Sequence, residues 1–147
     1  MKIVIKTSSG VHLMTLVDGA SWDDVFPKWQ ASHPDIYISH RELPDKAIPQ
    51  DRTFRNAWQD MGAENAIEVN MAKARNIQRD KLRELRKPML ERLDVDYMRA
   101  DEGDDETKKA AIILQKNALR DVTKDPSIES AQTPDELKLT IPAILLG

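Results

Sequence analysis

Three histidines, 25 carboxylates and no cysteine bound the chemistry open to this chain of 147 residues. Without cysteine there is no disulfide, thiolate zinc site, iron–sulfur cluster or thiol nucleophile. His33, Ser39 and His40 lie near Asp35, and these are side-chain types that hydrolysis or metal binding can use. Catalysis of that kind also needs an oriented base–nucleophile pair and donors that hold an oxyanion. No stretch resembles a nucleophile elbow, and the five glycines are too scattered for a phosphate-cradling loop. The histidines read as surface-loop residues, with His33 preceding a turn at Pro34. The expectation is a non-enzyme with no catalytic residue, no metal and no cofactor.

Two charge runs call for the same weighing. Asp94, Asp96, Asp101, Glu102, Asp104, Asp105 and Glu106 place seven acids within 13 residues, a composition that suits a hard cation. A calcium-binding helix–loop–helix loop takes oxygens from its positions 1, 3 and 5 ahead of a glycine at 6. Counted back from Gly103, positions 1 and 3 fall on Met98 and Ala100, which carry no side-chain oxygen. The run reads instead as a solvated spacer between helices, its last acids set where a helix dipole favours anions. Lys73, Arg75, Arg79, Lys81, Arg83, Arg86 and Lys87 face only Asp80 and Glu84 over residues 71–87, which raises the question of nucleic acid. At ~100° per residue these cations spread around a helix, and no aromatic side chain stands among them to stack on a base. That argues against nucleic acid and for a protein surface or pairing with the acidic run.

The elements that would position these residues follow from periodicity and punctuation. Residues 1–70 carry 7 basic and 10 acidic side chains, residues 71–124 carry 14 and 11, and residues 125–147 carry 1 and 4, which marks three segments. In the first, Met1 to Lys6 and Val11 to Val17 read as a hairpin turning at Gly10. Ser21 and Asp24 form a capping-box signature for a helix over Trp22 to Ala31, kept short by Pro27, with Trp22, Val25, Phe26 and Trp29 on one face. Ile36 to Ile38 is a third strand, turns follow at Pro44 and Pro49, a short helix runs from Asp51 to Gln59 with Gly62 as its stop, and Ala66 to Val69 is a last strand. Trp22, Phe26, Trp29, Phe54 and Trp58 supply the core of this unit.

The second segment is predicted to be a helical hairpin. Its first helix spans Met71 to about Asp94, with a stripe of Ala74, Ile77, Leu82, Leu85, Met89 and Leu93 and an interruption at Pro88. Its second spans about Asp105 to Val122, with Ala111, Leu114, Ala118 and Val122 facing the partner and Ile112 and Leu119 beside them. Thr133, Pro134 and Glu136 open a short last helix by cap, first-position proline and reciprocal acid. Beyond it Leu139, Ile141, Ile144, Leu145 and Leu146 are expected to bind a partner or a second copy of the chain, or else to pack on the N-terminal unit. Pro142 forbids one continuous helix through them. The fold class is thus α+β: a small N-terminal β-rich unit with short helices, a charged α-helical hairpin and an apolar C-terminal tail. No window holds the ~18 apolar residues of a membrane helix, and the opening lacks the apolar run of a signal peptide, so a soluble cytosolic protein away from membranes is expected.

Longer patterns add a resemblance. Glu42-Leu43-Pro44, Asp51 to Trp58 and Ile67 to Arg75 look like small proteins encoded beside tail genes in phages and prophages. Arg83, Arg86 to Asp94, Gln115 to Val122 and Ile128 to Leu137 extend it across residues 42–140. The layout of helix, acidic spacer and Leu119-Arg120-Asp121 is similar to phage tail and tail-fibre assembly chaperones. The resemblance implies a non-enzymatic factor in the bacterial host's cytoplasm that binds a phage tail or tail-fibre protein. Its rivals are an adaptor between tail and fibre that stays in the virion, and a nucleic-acid-binding regulator whose affinity would fall steeply with salt.

Overall fold

The computed structural model describes residues 1–62 and 65–147. The protein is α+β, as its patterning predicts, with N-terminal antiparallel sheets and a short helix followed by long helices packed as a hairpin. It divides into two compact units, Met1–Asn70 and Met71–Gly147.

In the first unit, strand β1 (Lys2–Thr7) lies between β2 (Gly10–Met14) and β3 (Tyr37–Leu43), antiparallel to both. Successive side chains of a strand point to opposite faces, and β1 is buried on both. Helix α1 (Trp22–Ser32) puts Trp29 over Ile3 and Ile5, with Trp22, Phe26 and Tyr37 packed beside them. On the other side Val4 meets Leu43 and Ile48, together with Trp58 and Ile67 from the pair β4 (Trp58–Asp60) and β5 (Ile67–Val69). The capping box forms: Ser21 Oγ accepts the Asp24 N–H at 3.3 Å, and Asp24 Oδ2 accepts the Ser21 N–H at 3.2 Å.

Three local expectations for this unit are corrected. The hairpin reverses at Ser8 and Ser9, while Gly10, at φ 146°, already pairs with Thr7 as the first residue of β2. Strand β3 runs on to Leu43, so His40 lies in a strand and not in a loop. The helix expected over Asp51 to Gln59 does not form. Asp51 Oδ1 instead accepts the Thr53 N–H at 2.8 Å and its hydroxyl at 2.6 Å, a local turn that competes with helix. Only a 3-10 turn at Arg55–Ala57 remains, after which Trp58 pairs with Val69 as a strand and is buried.

In the second unit, α2 (Met71–Glu102) is longer than expected and continues through Pro88. A proline leaves the carbonyl four residues earlier without its partner. Glu84 and Pro88 are both exposed, so water can satisfy that carbonyl and the helix persists. The acids expected in a spacer therefore fall mostly within α2, and the link to α3 (Glu106–Asp121) is only a few residues. Asp104 takes a left-handed φ of 53°, the Asp105 N–H reaches the Ala100 carbonyl at 2.9 Å and the Asp104 N–H reaches Asp101 at 3.1 Å. That is the Schellman pattern, and Asp105 then caps α3 by accepting the Lys108 N–H at 3.0 Å.

Of the positions expected to pack, Ala74, Leu82 and Val122 are buried, but Leu85, Ala111, Leu114 and Ala118 are exposed, so the face of α3 that packs is turned toward Ile112 and Leu119. In α2 the buried residues are Ala74, Gln78, Leu82 and Ala100, and Leu85 is 39% exposed. In α3 they are Ile112 and Leu119, and Leu114 is 71% exposed. Both stripes of α3 are apolar, so the face is chosen by what α2 offers and not by composition. After α3 come a 3-10 turn (Val122–Lys124) and two five-residue helices, α4 (Pro126–Ser130) and α5 (Pro134–Lys138). Asp125 and Thr133 cap them, each followed by proline at the first helical position. The sequence reading missed α4, although Asp125-Pro126 carries the same signal as Thr133-Pro134.

Candidate functional site

The site is built on α2, whose inner face carries long polar side chains as well as leucine. Arg75, Gln78, Arg79, Leu82 and Arg86 recur at helical spacing and lie on one side. Their donors go to backbone carbonyls where the following elements end. Arg86 donates to the Arg120 carbonyl at 2.7 Å and to Leu119 at 3.3 Å, at the last turn of α3. Arg79 donates to the Thr123 carbonyl at 3.3 Å and also pairs with the Glu129 carboxylate. Arg75 reaches the carbonyls of Ile128 at 3.2 Å and Ala131 at 2.9 Å, and Gln78 reaches Thr140 at 3.3 Å. The last carbonyls of any helix lack intrahelical partners, and here the guanidinium groups of a neighbouring helix serve them.

This clamp presents the apolar tail. Past α5 the chain makes a last 3-10 turn, Ala143–Leu145, against α2 and α3. The five tail residues expected to bind a partner separate into two groups. Ile141 and Leu145 are half-buried, Ile144 is 37% exposed, and Leu139 and Leu146 stand in solvent at 82% and 74%. Ile144 forms one wall of a groove of about 420 Å³ whose other apolar lining is Met89 and Leu93 of α2 and Leu119 of α3. Arg92, Asp96 and Gln115 supply its polar lining. Met89 and Leu93 belonged to the α2 stripe expected to close the hairpin, and the structure leaves them half-buried along the groove, whereas Leu119 is itself buried. What part of the tail is covered lies against the hairpin, a place that neither expectation, a partner or the N-terminal unit, had named.

The charge runs resolve into ion pairs across the hairpin. Asp94 pairs with Lys116 at 2.5 Å and Asp101 with Lys109 at 2.8 Å, while Glu106 meets Lys109 at 2.6 Å. Hydrogen bonds to Asp101 and Glu106 hold the Lys109 ammonium above its usual value. The acids thus pair with lysines of α3 and not with the arginine run, whose inner members bind carbonyls. Among the described residues no group of three or more His, Asp or Glu side chains could hold a metal ion.

His33 and His40 do not meet Ser39 or Asp35 as a catalytic array. His33 caps the end of α1, its Nδ1 2.9 Å from the Trp29 carbonyl, and His40 Nδ1 lies 2.8 Å from the Tyr37 hydroxyl. No helix of the described residues is long and apolar enough to cross a membrane. Compared with known proteins, the chain matches no family model, no curated protein and no solved structure.

Proposed function

We propose that this chain is a non-enzymatic protein-binding factor of bacteriophage tail or tail-fibre assembly, acting in the host cytoplasm, with the groove beside Ile144 as its docking surface. The observation that carries the reading is that groove: Met89, Leu93, Leu119 and Ile144 line an open channel, with Leu146 exposed two residues further along the tail. Covering the open parts of Met89, Leu93, Ile144 and Leu146 returns roughly 25 cal/mol for each Å² of apolar surface removed from water, so this face rewards association more than solvation. The resemblance of residues 42–140 to tail and tail-fibre assembly chaperones supplies the class of partner.

The test uses the full chain with an affinity tag in phage-infected cells. The chain should enrich a tail or tail-fibre protein, and Ile144→Asp should reduce that enrichment more than tenfold while leaving the helical melt in place, because Ile144 is more than a third exposed. Failure to enrich any tail or fibre protein, or equal enrichment by the variant, overturns the reading. Finding the chain in purified particles would favour an adaptor retained in the virion over a released chaperone.

A further inference from the structure

Away from the groove, the first unit gathers a guanidinium and further donor groups that no carboxylate of the described residues pairs with. The start of β2 and the 3-10 turn at Arg55–Ala57 enclose a pocket of about 220 Å³ lined by Ser9, Gly10, Val11, His12, Arg55 and Asn56. No carboxylate is among these residues. Arg55 has neither an ion pair nor a hydrogen bond from its side chain to any described residue, although a guanidinium offers five donors in a planar fork. Within this lining His12 sits 5.4 Å from the His33 ring and edge-on to Trp29 at 5.8 Å, ring centre to ring centre. The side chains facing His12 are thus Trp29 and His33 from α1 and Arg55 from the turn.

We propose that this pocket binds a small oxyanion, a carboxylate or a phosphate-type group, held by the Arg55 fork and by His12 in its protonated form, with the Asn56 amide as a further donor. Burial, then His33, then Arg55 hold the His12 imidazole below its usual value. All of these influences disfavour the cation, and an anion seated between His12 and Arg55 acts in the opposite sense. Anion binding must therefore raise the His12 midpoint, and by linkage affinity must rise as pH falls through the histidine range.

The test is a heteronuclear NMR titration of the full chain that follows the three imidazoles and the arginine Nε groups. Sulfate, whose charge is constant across the window, probes the tetrahedral source, and acetate probes the carboxylate source. At pH 6 one of the two anions should shift His12 and Arg55 saturably, raise the His12 midpoint by at least half a pH unit, and bind more weakly at pH 8. The anion that binds more tightly identifies the source. Arg55→Gln should weaken binding at least tenfold, whereas Arg52→Gln, three residues away and outside the pocket lining, should leave it unchanged. Linear, non-saturating shifts with both anions, or equal binding by Arg55→Gln in a variant whose spectrum shows it folded, overturn the proposal.

Discussion

Both units bury a strand or helix at their centre, yet they stabilise it with different chemistry. In the first, β1 is flanked by Ile3, Ile5 and Trp29 on one side and by Val4, Trp58 and Ile67 on the other, so apolar contact holds each face. In the second, the centre of α2 carries buried Leu82 and Gln78, and four of its side chains bind carbonyls of the segments that follow. The contrast shows how a charge-dense sequence can still form a packed unit. A guanidinium brings its own apolar stem and several donors, so it can cover a neighbouring helix end and satisfy its carbonyls at once. Arg75, Arg79 and Arg86 of the basic run, expected as a protein surface or as partners of the acidic run, are internal scaffolding instead.

The largest break in this comparison should come from Leu82→Ala. Truncating a fully buried leucine costs about 2–5 kcal/mol, and the loss should appear in the far-UV helical melt. Leu114→Ala, on the exposed side of α3, should stay within about 0.5 kcal/mol of the parent. Because Trp22, Trp29 and Trp58 all lie in the first unit, tryptophan fluorescence reports that unit and far-UV ellipticity reports chiefly the helices, which separates the two responses.

Next in size is Arg86→Met, which keeps much of the stem and removes the donors. Hydrogen bonds from charged groups contribute roughly 1–3 kcal/mol, so urea unfolding followed at 222 nm should shift by that amount. Lys87→Met, on the exposed side, should shift it by less than about 0.5 kcal/mol. Equal effects would mean that the clamp contributes nothing.

The first unit has an ionic counterpart to those clamps in Asp60 and Arg41. Asp60 is buried and receives Arg41 Nε at 3.0 Å and the Gly62 N–H at 2.9 Å. Burial, the largest influence, raises its carboxyl, but the hydrogen bonds and charge of Arg41 together with the Gly62 bond outweigh it and leave the group below the usual carboxylate range. A depressed acid stabilises the fold above its unfolded value near 3.8 and loses that contribution as pH falls through the folded value. The tryptophan-detected midpoint should therefore fall as pH drops below about 4, and Asp60→Asn should flatten that dependence. The smallest expected effect is a gain: Asp104→Gly, which relieves a left-handed residue at φ 53°, should raise the helical midpoint by of order 0.5 kcal/mol.

Elements with a local mark were legible in the sequence. Ser21 with Asp24, Asp105, and Thr133 with Pro134 each set a helix start, and alternation around Ile3 to Ile5 set the central strand. The end of α2 was not, because Asp94 to Glu102 suit a solvated helix as well as a loop, and what favours helix is Lys116 and Lys109 on the facing α3. The groove was half legible. Ile144 and Leu146 were among the five apolar tail residues expected to bind a partner, but Met89 and Leu93 were assigned to a closed seam. The arginine clamps carried no signal, since their acceptors are backbone carbonyls, and every residue has one.

The two five-residue helices have a consequence for the order in which the molecule assembles. Helices shorter than about 12 residues are marginal in isolation, so α4 and α5 gain their order from contacts made at a distance. Arg75 lies 56 residues from the Ala131 carbonyl it binds, and Gln78 lies 62 from Thr140. During synthesis α2 and α3 emerge first and can pair by nearby contacts, while the closing segment follows as a later step that lays Ile144 against them. Such a segment opens at less cost than the whole unit. Its amides should exchange with solvent before those of Leu82 or Leu119, and each opening would widen the groove on the hairpin without unfolding it.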